Sequence, residues 1–514
     1  MTRAVQNLRS QSRASFVIRA SSFIDSLRSA RHSFILRRLA SENGSFVIRH
    51  SAAAVLCLCT AGCAFFPPLG SKRLKADLAA LHGSAPSKWA ALPAISKSAA
   101  TGWLSEFSGS KLPALVNQAV ANNPDMKAAG ARVQQARAQM VQAGAGLFPA
   151  ITANGTGGRT QSPGDQRFPG INQIANRFTS NLNVSWEIDF WGRVADERRA
   201  AKAGSEAAEE DWHAARLSLA TTTVQSAVSL AEAEALLALA QSNVSTRKVQ
   251  LGILERQMDR GIEPERAALD VSLSRADLAR AESTVQQRRA TADQTRRTLE
   301  TLLGGYPAGT ERGLGSLPSL KRGIPAGLPS EMLLRRPDLR AAERRVTAAL
   351  ATESAAKKAL LPSLRLTGQL GRTSQQIEQL IRPESAIWNI GTQAAQTLFQ
   401  GGRLKAGIDL ERARYDESLQ TYAGSVLTAF REVETALAAE QFLLQQESAL
   451  ERAATEAERA EQLALSQYEK GLSEVLTLLD TRQRAFDARS ALIGVQAQRL
   501  RNRAALHLAL GGEF

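Results

Sequence analysis

Two kinds of hydrophobic spacing alternate along the chain. Leu182, Val184, Trp186, Ile188 and Phe190 alternate with Asn183, Ser185, Glu187 and Asp189, and Leu364, Leu366, Gly368 and Leu370 alternate with Arg365, Thr367 and Gln369. A period of two residues predicts strands with one apolar and one polar face. Elsewhere the spacing is helical: Leu236, Leu237, Leu239 and Val244, then Leu443, Leu444 and Leu450, stand among Glu, Arg and Gln as in coiled-coil helices. No proline interrupts 170–263 or 384–514, so helices there meet no breaker. A helix of about fifty residues filling most of 195–250 would reach about 75 Å at a rise of 1.5 Å per residue. A compact domain has no use for that length.

The pattern occurs twice. Pro124-Asp125-Met126-Lys127-Ala128-Ala129 returns as Pro337-Asp338-Leu339-Arg340-Ala341-Ala342, and the register holds without a gap to Gly158-Arg159-Thr160 and Gly371-Arg372-Thr373. Fifteen of these thirty-seven aligned positions are identical, Pro149 and Pro362 among them. A second block pairs Gly192-Arg193-Val194 with Gly402-Arg403-Leu404, Gly261 with Gly471 and Asp270 with Asp480. Self-similarity of this kind divides the chain into a leader (1–62), an N-terminal linker segment (63–111), repeat 1 (112–306), a Gly/Pro-rich linker (307–329) and repeat 2 (330–512). Each copy is expected to run helix, short strand pair, long helical hairpin.

The alternating runs cover nine and seven residues, approaching the roughly 9–11 of a tilted transmembrane strand. Trp186, Phe190, Trp191 and Trp388 lie near them and suit an interfacial girdle; the other reading is a pair of soluble amphipathic hairpins. Two strands per copy make four per chain, whereas a membrane barrel closes with about eight or more, and an open edge cannot sit in lipid. A membrane barrel must then be shared between chains, and three chains would supply twelve strands. Gly155-Thr156-Gly157-Gly158 falls inside a predicted strand, which suits a barrel bend better than a phosphate cradle.

Composition agrees with long helices: 44% of the 514 residues are hydrophobic but only 5% aromatic. The net charge of +15 would suggest nucleic acid or an acidic surface until its position is read. Nine Arg against Asp25 and Glu42 place +7 of it in residues 1–62. Beyond that, acids and bases interleave, as in Asp196-Glu197-Arg198-Arg199, with no basic face joined to aromatics, so nucleic acid is not an expected partner.

All three cysteines, Cys57, Cys59 and Cys63, fall in one short segment, which rules out a disulfide framework downstream. Arg49 followed by the apolar run Ala52–Cys59 reads as a secretory signal. The run ends in Thr60-Ala61-Gly62-Cys63, which resembles the lipoprotein box, where small residues admit the peptidase and the thiol takes the lipid. Acyl chains on Cys63 would add a membrane anchor, at about 0.8 kcal/mol per buried CH₂; otherwise Cys63 is a small residue in an ordinary signal. Ala64, rather than Asp, after Cys63 permits outer-membrane delivery. Ser15-Phe16-Val17-Ile18-Arg19 recurs as Ser45-Phe46-Val47-Ile48-Arg49, which suggests a true start near Val47 and an extension over 1–45. Peptides from residues 1–40 in the cellular protein would exclude that start.

The motifs also resemble those of the TolC-like outer-membrane efflux family, in particular its NodT-type lipoprotein branch. The resemblance rests on Trp103 and Phe107 with Leu112 and Leu115, on Asn122-Asn123-Pro124-Asp125, and on Trp186-Glu187-Ile188-Asp189-Phe190-Trp191-Gly192-Arg193. Arg336-Pro337-Asp338-Leu339-Arg340-Ala341-Ala342, Leu398-Phe399-Gln400-Gly401-Gly402-Arg403 and Tyr468-Glu469-Lys470-Gly471-Leu472 complete it, over about 63–512. It implies a mainly α fold with membrane β: a homotrimer whose twelve-stranded β-barrel in the outer membrane continues as a long periplasmic α-helical barrel, two repeats per chain. It further implies that Gly261, Gly471 and Leu472 lie at hairpin tips where a periplasmic adaptor protein docks, and that Asp480 rings the closed entrance. Thr477 stands where some members carry a second Asp.

No catalytic constellation competes with this reading. His32, His50, His82, His213 and His507 are scattered without ligand spacing, and no phosphate loop or nucleophile elbow occurs. Neither metal nor cofactor is expected. Two function classes remain: a passive exit duct driven by an inner-membrane pump through the adaptor, or a structural coiled-coil lipoprotein. Within the first, small molecules or drugs are preferred over metal, protein or peptide export, because no Met- or His-rich segment is present. The transported substrate is not written in the chain, since the pump selects it.

Overall fold

The computed structural model describes residues 71–83, 85–91, 102–108, 111–162, 173–259, 264–321, 327, 329–470 and 472–512, all within one compact unit, Phe66–Phe514. The leader, Cys63, Gly261 and Gly471 lie outside the described residues. A short helix α1 (Ser71–Gly83) and a 3-10 turn (Trp103–Glu106) precede α2 (Lys111–Asn122) and α3 (Pro124–Ala145). Strands β1 (Ala150–Ser162) and β2 (Gln173–Ile188) then lead into α4 (Arg193–Asp259) and α5 (Pro264–Leu302). After α6 (Pro329–Arg335) the order returns: α7 (Pro337–Lys358), β3 (Ser363–Ser374), β4 (Ala386–Ala395), α8 (Arg403–Glu469) and α9 (Val475–Ala509).

The helices exceed the expected length. Both α4 and α8 run for 67 residues, about 100 Å at 1.5 Å per residue. Each is matched by two shorter helices laid along it. Helix α4 packs against α3 (22 residues) and α5 (39 residues), and α8 against α7 (22 residues) and α9 (35 residues). The shorter helices meet end to end. The Asn123 side chain accepts from the N–H groups of Asp125 and Met126 at the start of α3, while its Nδ2 donates to Leu302 O at the end of α5 (3.1 Å). At the equivalent position Arg336 precedes Pro337 and donates to Ala509 O at the end of α9 (3.0 Å). At the first joint one side chain thus satisfies both helix termini; at the second Arg336 serves the end of α9 and pairs with the Asp338 carboxylate (2.7 Å) without capping the N–H groups of α7. Glycine is required beside each: Gly304 (φ +74°) and Gly511 (φ +69°) press on the backbone of Asn122 and Arg336, within 2.7 and 2.9 Å of where a Cβ would stand.

The core lies along these helices. One cluster gathers Trp103, Phe107, Leu112, Val116, Val224, Leu230, Leu299 and Leu500; another gathers Trp89, Met332, Leu339, Tyr415, Tyr422 and Val433. By length and composition, one stretch of α4 could cross a membrane. Val224, Ala227, Val228, Leu230 and Ala231 are instead buried against neighbouring helices, so its hydropathy reflects core burial.

The described parts of the segments expected to be linkers are held in place. Glu300 accepts from the N–H groups of Gly309, Thr310 and Glu311 at 2.6–2.8 Å, and Phe107 bridges to Leu320. Residues 71–91 lie along α8: Arg73 pairs with Asp416 (2.8 Å), Tyr415 donates to Asp77 (2.7 Å), and Glu434 accepts from the N–H groups of Ala90 and Ala91.

Candidate functional site

Among the described residues the strands form one antiparallel sheet in the order β1-β2-β3-β4. They are longer than the alternating runs suggested, at 13, 16, 12 and 10 residues, enough for each to span a membrane at a tilt. The register sorts every side chain onto one of two faces, because opposed residues point the same way. Ile188 opposes Leu364, Trp186 opposes Leu366, Val184 opposes both Ile151 and Gly368, Leu182 opposes Leu370, and Trp388 and Ile390 oppose Leu370 and Gly368. The other face carries Thr152, Asn154, Thr156, Thr179, Asn181, Asn183, Ser185, Thr367, Gln369, Asn389 and Gln393. Polar neighbours bond across it: Thr156 to Thr179 (2.5 Å) and Asn389 Nδ2 to Gln369 (3.1 Å). On the apolar face Leu370 is 62% and Trp388 71% exposed. Among the described residues, no helix covers that face.

The four aromatics occupy three levels. Phe190 and Trp191 contact edge to face beyond the end of β2 (4.8 Å), where Trp191 Nε1 donates to Pro362 O (2.8 Å). Trp186 sits inside the sheet and donates to Leu147 O (3.1 Å). Trp388 opposes Leu370 at the far end. From Pro362 to Leu370 is about 27 Å along the strand, or about 20 Å of height at a tilt near 40°. The expected strand over 182–190 stops at Ile188 because Asp189 turns to cap α4. Its carboxylate accepts from Val194 N (3.1 Å) and Ala195 N (2.7 Å).

That junction explains the Trp186–Arg193 string residue by residue. Arg193 bonds Glu187 (2.7 Å) and Glu197 (2.6 Å), and Gly192 adopts φ +74°. Asp196, fully buried, meets Lys358 (2.7 Å) and accepts from Ser354 Oγ (2.5 Å) of α7.

At the opposite end of the helices, Leu472 is 75% exposed at the α8–α9 turn, and its N–H closes on Gln467 O (2.9 Å). Thr477 and Asp480 stand exposed on α9, and Asp480 pairs with Arg484 one turn on (2.8 Å).

Sequence reasoning missed a buried ionic cluster midway along the helices. Arg503 of α9 binds Glu440 (2.6 Å) of α8 and approaches Glu106 (3.5 Å); His507 donates to Glu106 (3.0 Å) and stacks on Trp103 (5.0 Å). Burial alone would raise the Glu106 carboxyl, but the hydrogen bond and charge of His507 and the charge of Arg503 outweigh it and hold the group below its ordinary 4.5. The signal available was a lone His and Glu far apart in sequence. Among the described residues no three His, Cys, Asp or Glu side chains gather as a metal site.

An uncovered apolar sheet face backed by a polar one, on strands of membrane length, is the geometry of a lipid-facing barrel wall. The chain matches the outer membrane efflux protein family over residues 115–305 and 328–512. It belongs to that family. It is 30% identical to the cation efflux system protein CusC of Escherichia coli K12 over 414 residues, 80% of this chain and 88% of that one. It is also 30% identical to the antibiotic efflux pump outer membrane protein ArpC of Pseudomonas putida over 453 residues, 86% and 93% of the two chains. The solved outer-membrane channel OprN superposes with a TM-score of 0.76 at 28% identity, covering 84% of this chain and 97% of its own. The family therefore accounts for the sheet and the long helices together.

Proposed function

We propose that this outer-membrane efflux chain works as one third of a trimeric channel, a passive exit duct for small molecules that an inner-membrane pump drives through a periplasmic adaptor. The carrying observation is the sheet: one face suits lipid, the other suits water, and among the described residues the edges of β1 and β4 are unpaired within the chain. Unpaired edges are not tolerated in a bilayer. Three copies pairing β4 to β1 would close a twelve-stranded barrel, and the helices of about 100 Å would carry the lumen into the periplasm. A coiled-coil lipoprotein rod would leave the apolar sheet face unexplained.

The same reading assigns the remaining sites. Trp186, Phe190, Trp191 and Trp388 bound the lipid zone, Leu472 and the hairpin turns with Gly261 and Gly471 meet the adaptor, and Asp480, with Thr477 beside it, lines the constriction. Lipidation at Cys63 fits the reach of the chain. Arg73 is held at Asp416, about 20 Å along α8 from its start, and the ten residues back to Cys63 can span about 33–36 Å.

Extraction in detergent followed by planar-bilayer recording tests the proposal. A trimer that conducts is expected; a soluble rod that never opens a pore would overturn it. Asp480→Ala is expected to lower cation preference, and unchanged conductance and selectivity would remove the constriction assignment alone.

A further inference from the structure

Among the described residues, the apolar sheet face carries only two charged side chains, and both are arginines. Following the register along that face gives Ile151, Ala153, Gly155, Gly157 and Arg159 on β1, and Leu364, Leu366, Gly368, Leu370 and Arg372 on β3. Between them β2 presents Ile188, Trp186, Val184, Leu182, Ser180, Phe178 and Asn176, and β4 presents Ala394, Thr392, Ile390, Trp388 and Ala386. Arg159 and Arg372 occupy equivalent positions of the two repeats, and both lie toward the strand ends remote from the helices. Both are exposed. The helix-proximal end of the same face carries tryptophan and aliphatic side chains and no charge. The charge therefore stands only at the helix-remote end of this face.

We propose that Arg159 and Arg372 form a binding rim for the phosphate headgroups of outer-leaflet lipid. The inference rests on the channel reading, which sets this face against the bilayer. Guanidinium groups bind phosphate through paired N–H donors, and an arginine at the interface costs little where one at the bilayer centre costs much. Below the rim, Trp388 and Leu370 stand one pairing step from Arg372, and the Phe178 ring covers Gly157, the residue two before Arg159, at 3.2 Å from where a Cβ would stand. Each arginine thus has an apolar floor for acyl chains and water above it. Arg372 Nη1 also donates to Ile381 O in the β3–β4 connection, which leaves its Nε and Nη2 for a ligand. That connection carries Glu378 and Glu384 alongside Arg382, so selectivity for phosphate has to come from the two arginines. Three chains would present six such groups around the barrel.

The test uses the full chain, purified as its oligomer in a non-ionic detergent, with bound lipid read by native mass spectrometry. The probes are a bis-phosphorylated glycolipid, phosphatidylcholine and inorganic phosphate. The parent protein should retain the glycolipid at least about tenfold better than the double variant Arg159→Gln/Arg372→Gln, the fold-change expected for losing charge-assisted phosphate bonds. Arg159→Lys/Arg372→Lys should fall between the two, since charge remains without the planar fork. Phosphatidylcholine should bind all three proteins alike. Equal glycolipid retention by the double Gln variant overturns the proposal, as does displacement by millimolar inorganic phosphate, which would indicate a free-anion site. Single-channel conductance should not change in either variant, because the arginines face away from the polar side. Loss of conductance in the parent protein would instead fault the channel reading, leaving the lipid comparison to be scored by itself.

Discussion

The two strand-to-helix junctions occupy the same place in the two repeats and are built in opposite ways. Where β2 meets α4, polar groups are sealed: Asp189 caps the helix, Trp191 reaches Pro362, and Asp196 is buried with Lys358 and Ser354. Where β4 meets α8, the equivalent residues are open. Leu398 and Phe399 are 90% and 86% exposed, Gly402 begins α8 without a side-chain cap, and Arg403 bonds only Gln400 (2.7 Å). The first junction is closed by residues of repeat 2, which lies beside it in the same chain. Among the described residues the second has no such neighbour in its own chain, and on the opposite flank Phe148, just before β1, is 71% exposed. The difference teaches that one chain seals one junction and leaves the other exposed, which the proposed trimer would complete. In the proposed trimer, repeat 1 of the next copy would stand against it, a head-to-tail interface that closes into a ring.

The comparison can be broken at four points. Asp196→Ala should have the largest effect, about 3–5 kcal/mol, because it leaves Lys358 buried without its carboxylate. Urea unfolding of the detergent-solubilised protein measures it, and a loss below about 1 kcal/mol would show that the first junction is not locked by this pair. Leu398→Ser/Phe399→Ser should leave the chain folded but weaken assembly by about 1.5–3 kcal/mol per side chain, the value of burying each. Sedimentation should then show monomers; an unchanged oligomer would mean that nothing covers these residues. Asp189→Ala should cost about 1 kcal/mol through the lost helix cap, whereas Gln400→Ala at the open junction should stay within about 0.5 kcal/mol.

The smallest effect is remote from both junctions and depends on pH. Glu106 is held below its ordinary 4.5, so the stability it adds is complete above that value and is lost as the pH falls through its folded-state value. Melting temperature should drop on the acid side of 4.5, and Glu106→Gln should flatten that limb. A melting temperature that does not fall on the acid side of 4.5 would remove this assignment.

Much of the architecture was legible because it is local. Alternation at 182–188 and 364–370 marked β2 and β3, the long proline-free stretches marked α4 and α8, and the Pro-Asp repeat marked the starts of α3 and α7. The lengths were underestimated where the signal is weak. Gly, Ala, Thr and Ser fill most of β1 and Ile151 is its only large apolar residue, so its thirteen residues have little hydrophobic alternation. The ends of α4 are polar and are held as helix by α5 and α7. The buried Glu106–Arg503–His507 cluster was invisible, since it joins residues about four hundred positions apart that share no spacing. Gly261, Gly471 and Cys63 were named from motifs and lie outside the described residues.

The sequence by itself determined that the chain carries two copies of one unit, that its strands have two unlike faces, and that four strands cannot close a barrel alone. These follow from periodicity and counting, which need no knowledge of neighbours. Only the tertiary structure decided the register, and with it which side chains share a face. That is where Arg159 and Arg372 became, among the described residues, the only charges on an otherwise uncharged wall, and where one junction proved sealed and the other open. Register is a relation between strands distant in sequence, fixed by pairing and packing rather than by local spacing.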